Sequence, residues 1–307
     1  MFFKILKLVF KKDGTAQAIA MHRLIETLEN KNKRVIYDYF ASNFVVGGSI
    51  IKLMGHKFNI WILKKIMPGL HEHLIARTKY LDDVIEQSIV NGSMQYVILA
   101  AGYDSRANRL KLPSDLNIFE LDQSEVQKRK LSILNNIIPR SKRITYIEID
   151  FNKDSITKKL LNAGFDTEKH TIFTLEGISQ YISKDSFHST LKEISQLTKR
   201  SKTTIFFSYT DCIINTCPED LFGKDYPNPR KKIVRIKKIV NALSEPWVSF
   251  YSKKEIEELL FKNNFKLKEI KKLENLNNKY FTSVNKKVDN RNMFNLENFV
   301  VAQNFTS

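Results

Sequence analysis

Apolar positions along this chain follow two different periods, and the change between them marks its organisation. Five short apolar or alternating runs of strand length occupy residues 96–101, 117–121, 144–149, 171–175 and 203–209. Helical spacing fills the gaps between them. Val126, Leu131, Leu134, Ile137 and Ile138 fall on one side of a helix that opens with Ser124 and Gln127 at capping-box spacing. Ile156, Leu160 and Leu161 precede Gly164, a natural helix stop, and Phe187, Leu191, Ile194 and Leu197 form a third stripe. Strands alternating with helices of this size build a mostly parallel sheet covered on both faces, because right-handed crossovers place the helices there. The pattern therefore predicts a doubly wound α/β core.

Upstream, residues 80–90 predict a helix with Leu81, Val84, Ile85 and Ile89 inward, ended by Asn91-Gly92, and residues 1–75 read as mainly helical, without strand rhythm. Downstream, residues 211–250 hold Pro218, Pro227, Pro229 and Pro246 and read as an irregular insertion with one basic helix at 230–243, a candidate lid. Ser252 and Glu255 then open a capped helix to Lys262, followed by strands at 265–270 and 299–302. The expected division is a helical N-terminal cap over 1–75 and an α/β core over 76–307 carrying the lid.

Composition changes this picture little. With 307 residues, 42% hydrophobic, and only ten glycines and seven prolines, the chain can bury a core and has no fibrous or disordered bias. The net charge of +17 invites a nucleic acid or an anionic surface, but 38 of the 50 basic residues are lysines scattered among Asn and Ile. A solvated surface accounts for most of them. The two cysteines, Cys212 and Cys217, make no disulfide framework or zinc site, and the pair His71 and His73 reads as surface chemistry rather than a metal site, so no metal is expected. The N-terminal MFFKILKLVFKK is broken by Lys4 and Lys7, which argues against a secretory signal and leaves an amphipathic membrane-surface helix as the alternative. No run is long enough to span a membrane, and the cytoplasm is the expected compartment.

In doubly wound sheets the ligand lies outside the carboxyl ends of the strands. The residues there are Gly102 and Asp104 after the first run, Glu120 and Asp122 at the second, Asp150 at the third and Glu176 at the fourth. A dinucleotide needs further glycines for close approach of its pyrophosphate, and the stretch YVILAAGYDSRANR has one. S-adenosylmethionine carries no phosphate. Its ribose diol, adenine amino group, ammonium and sulfonium all suit acidic partners, so one glycine and several acids fit it better.

VILAAGYDSRANRL followed by IFELDQSEVQKRK resembles the signature of the leucine carboxyl methyltransferase-like enzymes, a branch of the S-adenosylmethionine-dependent class I methyltransferases. The resemblance extends to ARTKYLDDVI, EIDF, TLEGISQYI and, further upstream, DGTAQAIAMHRLIE with VIYDYFA, covering about residues 14–210. It implies a Rossmann-like class I sheet, mostly parallel with an antiparallel last strand. By position it implies that Arg77 binds the methionine carboxylate, Gly102 lies against the cofactor, Asp122 with Glu120 holds the ribose, and Asp150 and Phe151 frame the adenine. Ala100 and Asp104 belong to the same loop, with Ala100 replacing the usual glycine. Glu176 would sit near the methionine moiety and the substrate, with Tyr181 as a further substrate contact.

Plainer roles stand beside these. Asp104 with Arg106 or Arg109 could simply fix the turn, Glu120 could face solvent, Asp150 could cap a helix or a turn, and Tyr209 could be core. The expected activity is O-methyl transfer to a carboxylate, or a hydroxyl, of a small molecule or protein terminus, releasing S-adenosylhomocysteine. Its rivals are a catalytically idle module binding RNA or an acidic protein and, less favoured, a nicotinamide-dependent oxidoreductase. Oligomeric state has no signature in the sequence.

Overall fold

The computed structural model describes residues 14–305 apart from 152 and 244, so the N-terminal MFFKILKLVFKK lies outside the described residues. The chain forms two compact units. One comprises the chain through Leu81 together with Asp211–Trp247 and Lys271–Asn298; the other comprises Asp82–Thr210, Val248–Ile270 and the chain from Phe299.

The second unit holds a mixed seven-stranded sheet. Its strands are β1 (Gln95–Leu99), β2 (Asn117–Asp122), β3 (Ile144–Glu148), β4 (Thr171–Leu175), β5 (Thr203–Thr210), β6 (Phe265–Lys271) and β7 (Glu297–Asn304), in the order β3-β2-β1-β4-β5-β7-β6. The ladders joining β3, β2, β1, β4 and β5 are parallel. Alternate residues go to opposite faces. Val97, Leu99, Phe119, Leu121, Phe173, Leu175, Ile205 and Phe207 join one apolar core with Ile156, Leu160, Phe187, Leu191, Ile256 and Leu260 of the flanking helices. Tyr96, Ile98, Ile118, Ile172 and Phe206, from the other face, are equally buried. Both faces are covered, which is why these strands read as continuous apolar runs rather than strict alternations.

After β1 the chain moves outward through β2 to β3 and then returns to lay β4 on the other side of β1. The carboxyl ends of β1 and β4 therefore flank the point where strand order reverses, the place where such sheets bind ligands. Register aligns them: Leu99 is opposite Leu121, Ile98 opposite Thr174, and Asp122 opposite Glu148.

The helices of this unit keep most of their sequence signals. Ser252 and Glu255 form a complete capping box at the head of Lys253–Lys262. The helix Ser124–Leu134 departs from expectation: its cap residue is Gln123, and Gln127 turns inward to donate to the carbonyls of Glu120 and Ile147 at 3.0 and 3.2 Å. Its buried face is Gln127, Lys130 and Leu134, at i, i+3 and i+7, while Ile137 and Ile138 fall beyond its end. A buried polar partner on β2 draws two polar residues to the position that an apolar stripe was expected to fill.

The first unit is built on the helices Gly14–Thr27, Gly48–Ile66 and the first half of Leu70–Val90, which starts ten residues earlier than its apolar pattern suggested, together with the helices Pro229–Ala242 and Leu273–Tyr280. Phe222 stacks on Phe294 at 4.4 Å between ring centroids and meets Tyr226 at 4.2 Å. Of the segment 211–250, expected as a lid from its prolines, residues 211–247 belong to this unit, where Phe222 and Tyr226 make these aromatic contacts. Gly69 has φ +78°, and a methyl there would lie 2.1 Å from the Asn292 carbonyl, so both backbone conformation and close approach require glycine.

Candidate active site

The sharp turn after β1 starts the site. Ala100 has φ +53° and Gly102 φ +46°, both left-handed. Gly102 is suited to this and Ala100 is not, since its methyl crowds the following carbonyl at a cost of roughly 1–2 kcal/mol. The turn persists because its neighbours hold it. The amide of Ala101 donates to the Leu121 carbonyl at 3.1 Å, that of Asp104 to the Ala101 carbonyl at 2.7 Å, and that of Gly102 to Asp122 Oδ2. Asp122 Oδ1 accepts from the Gln123 amide at 2.7 Å. One carboxylate at the end of β2 thereby locks the loops that follow β1 and β2.

Arg106 forms the second layer. Its Nε donates to Asp82 Oδ1 at 2.7 Å, and its Nη1 to Asp104 Oδ2 and Glu176 Oε2 at 2.6 Å each. Arg109 reaches the same Asp82 oxygen at 2.6 Å. Burial alone would make the Arg106 guanidinium easier to deprotonate, but Asp104, Glu176 and Asp82 reverse this and hold it charged, well above its usual value. Asp104 therefore does fix the turn through Arg106, and Glu176 is drawn into the same cluster from β4. Beneath it, the Tyr96 hydroxyl lies 3.4 Å from Thr174 Oγ1, and burial followed by the charge of Asp104 pushes its pKa well above the usual range.

Glu120 does not face solvent. It is buried on the sheet face opposite Phe119 and Leu121, with Lys130 Nζ at 2.5 Å from Oε2. Burial raises its pKa, and Lys130 partly offsets the rise. Asp150 does not cap a helix: the cap of Ile156–Asn162 is Ser155, while the Asp150 amide and carbonyl join a turn closed by the Asp154 carboxylate and the Lys153 and Asp154 amides. Phe151 packs against the apolar core from a half-buried position. After Glu176, Gly177 turns with φ +65° and donates to Ser208 Oγ at 2.9 Å, and the half-buried Tyr181 donates its amide to Ile178. Tyr209 is core, edge-on to Tyr251 at 6.3 Å.

The structure thus gathers Ala100, Gly102, Asp104, Asp122 and Glu176 around one loop. Arg77 belongs to the first unit, where its buried guanidinium donates to Glu297, which also lies 3.2 Å from His73 Nε2. His71 and His73 are not surface residues: both are buried on carboxylates, His71 on Glu26 at 3.2 Å. Among the described residues, no group of three or more His, Cys, Asp or Glu is placed to hold a metal ion. Sequence reasoning missed Asp82, Lys130 and the hub role of Arg106. A charged residue inside an otherwise apolar helical stripe, as Asp82 is beside Leu81 and Ile85, was the available signal.

The leucine carboxyl methyltransferase family matches residues 16–195. A Mycobacterium marinum protein named for S-adenosyl-L-methionine-dependent methyltransferase activity is 31% identical over 199 residues, 62% of this chain and 64% of its own length. A similarly named Mycobacterium tuberculosis protein is 34% identical over 177 residues, 55% of this chain and 57% of its own. One from Frankia alni is 34% identical over 126 residues, covering 40% and 43%. The match spans less than two thirds of each of these relatives. Among solved structures, a DUF574 family protein from Streptomyces avermitilis superposes with a TM-score of 0.55 at 11% identity, covering 92% of this chain and 97% of that one, a likeness of fold alone. With this sheet order, switch-point site and matched region, the chain belongs to the leucine carboxyl methyltransferase family and has the α/β fold of class I methyltransferases.

Proposed function

We propose that this protein is an S-adenosylmethionine-dependent O-methyltransferase whose acceptor is a carboxylate, or a hydroxyl, of a small molecule or protein terminus. The observation that carries the reading is the clustering of carboxylates at the switch point, where Arg106 joins Asp82, Asp104 and Glu176, Arg109 also reaches Asp82, and the Asp122 carboxylate lies on the Gly102 and Gln123 amides. A surplus of negative charge beside a left-handed turn suits a ligand bearing a sulfonium and an ammonium, and repels a pyrophosphate. The donor set fits the cofactor's other groups as well. Asp122, a carboxylate at the end of β2, is chemically suited to accept ribose hydroxyls. Glu176, the more accessible partner of Arg106 at 16% exposure, can face the methionine ammonium and the acceptor. Glu120 would act behind Asp122, and Asp150 and Phe151 would border the adenine. Arg77 enters this reading only through the family resemblance.

The bound cofactor would supply a methyl group on a cationic sulfur. The chain's own contribution is to hold the reactants in line and exclude water, and such positioning can supply most of the rate gain. A carboxylate acceptor is already ionised and needs no base. That agrees with strand ends that hold no histidine among Ala100–Arg109, Glu120–Gln123 and Glu176–Tyr181.

Thermal denaturation with candidate ligands tests the reading. S-adenosylmethionine and S-adenosylhomocysteine should raise the melting temperature, with about 2.7 kcal/mol of stabilisation at a hundredfold excess over Kd, while NAD and NADP should not. Radiolabelled methyl transfer to carboxylic acids, released again by mild base as expected for an ester, would support the carboxylate class. A shift with NAD alone would overturn the proposal.

A further inference from the structure

The helix Gly48–Ile66, in the first unit, is nineteen residues long and rich in Ile, Leu, Met, Phe and Trp, yet only Gly48 and Asn59 are buried. A helix of this composition normally hides one face. Here Ile51, Met54, Ile60, Ile62, Leu63 and Ile66 are half-buried, while Ile50, Leu53, Phe58 and Trp61 are exposed, Leu53 at 88% and Trp61 at 53%. Gly55, with φ +70° and ψ +169°, breaks the helix into two short segments. Beyond the break, Lys57, Phe58, Trp61, Lys64 and Lys65 share one exposed face at i, i+1, i+4, i+7 and i+8. Phe58 stacks on Trp61 at 5.7 Å between ring centroids, and Lys65 Nζ lies over the Trp61 ring at 4.1 Å.

Charge selects the occupant of this face. The helix holds Lys52, Lys57, Lys64 and Lys65 and no acidic residue, and Lys52, Lys57 and Lys64 make no ion pair with a described residue. A second copy meeting the same face would set lysines against lysines, a repulsive arrangement. An anionic lipid surface satisfies both halves of the pattern. Acyl chains receive Leu53 and the rings, Trp61 sits at headgroup depth, and the lysine stems lie along the apolar layer with their ammonium groups among the phosphates. No helix among the described residues is long and apolar enough to cross a membrane, so the contact is interfacial.

We propose that Gly48–Ile66 is an interfacial anchor that lays its exposed Ile50–Leu53 and Phe58–Trp61 side chains into an anionic lipid surface, with the four lysines on the phosphates. The test uses the full chain and vesicles of phosphatidylcholine, with and without phosphatidylglycerol. The overall positive charge would draw the protein to anionic vesicles in any case, so the readout must report depth. Trp61 and Trp247 are the two tryptophans, and Trp247→Phe leaves Trp61 as the reporter. On anionic vesicles Trp61 emission should shift to the blue and be quenched by lipids brominated on their acyl chains. In sedimentation with vesicles, Leu53→Ser/Trp61→Ser should weaken binding by about tenfold or more, and each Lys→Gln change at 57 and 64 by about fivefold. These side chains are exposed, so melting temperatures should hold. Unchanged Trp61 emission, or serine variants that bind as wild type does, would overturn the proposal. Self-association without vesicles, lost in Trp61→Ser, would also overturn it by assigning the face to a second copy.

Discussion

The ammonium of Lys130 lies 2.5 Å from Oε2 of Glu120, and both side chains are almost wholly shielded from water. Each charge is tolerable there only because of the other. Lys130→Met would leave a carboxylate in an apolar setting, and its expected cost is about 3–5 kcal/mol. Burial already raises the Glu120 pKa, and without Lys130 the rise would be larger. A raised carboxyl pKa favours the folded state below the unfolded value, and that advantage is lost as pH rises through the folded value. The Lys130→Met defect should therefore be smaller in acid than at neutral pH, as read by urea denaturation at both. Adding Glu120→Gln should restore much of the loss. If the restored double variant no longer responds to S-adenosylhomocysteine, Glu120 serves the ribose as well as the fold.

Ala100 gives the second prediction. Its φ of +53° places an alanine in a region that favours glycine. Ala100→Gly should relieve about 1 kcal/mol of backbone strain, partly offset by the greater freedom of glycine in the unfolded chain. A β-branched Val at this position should destabilise instead. Chemical denaturation midpoints of the three proteins would decide, and a midpoint lowered by glycine would mean that the Ala100 methyl makes a packing contact worth more than the strain.

The histidines of the first unit predict acid sensitivity. His22 Nδ1 lies 3.2 Å from His71 Nδ1, and burial, then the charge of His71, then that of Arg77, hold the His22 pKa well below its usual value. Burial also lowers that of His73, against the pull of Glu297. The folded state keeps the His22 and His73 rings neutral, whereas in the unfolded chain these two take up protons near pH 6.5. Stability should hold above about pH 6.5 and fall below it, by roughly 1.4 kcal/mol per unit of pKa depression. His22→Asn should flatten the decline. An unchanged slope in that variant would place the sensitive group elsewhere.

Much of this fold was legible because a sheet covered on both faces leaves uninterrupted apolar strands: 171–175 matches β4 residue for residue, and 203–209 falls one residue short of β5. Helix limits were less legible where buried faces are polar. The helix Leu70–Val90 buries His71, His73, Arg77, Thr78 and Asp82 among its apolar residues, so a hydrophobic stripe shows only its second half. The strand-end carboxylates could be located because a glycine or an acid follows each of the first four apolar runs. What they touch could not, since Arg106 meets Asp82 and Glu176 across sequence separations of 24 and 70 residues. Periodicity reports which face a residue takes and carries nothing about its partner across such distances.

Asp122 carries the last prediction, because it joins the structure of the loop to the proposed chemistry. Its two oxygens accept the amides of Gly102 and Gln123, so Asp122→Ala strands two part-buried donors. Each costs about 1–3 kcal/mol if no water replaces the carboxylate, and loss of ligand binding in that variant could reflect a loosened loop. Asp122→Asn is the sharper test. Its amide oxygen can keep the Gly102 bond, while the NH2 group no longer accepts a hydroxyl and the negative charge is gone. The expected result is a small fall in the melting temperature of the free protein together with loss of most of the stabilisation by S-adenosylhomocysteine. A wild-type ligand shift in Asp122→Asn would mean that the ribose is held by another group at the strand ends, and would leave Asp122 as the residue that keeps the loops after β1 and β2 together.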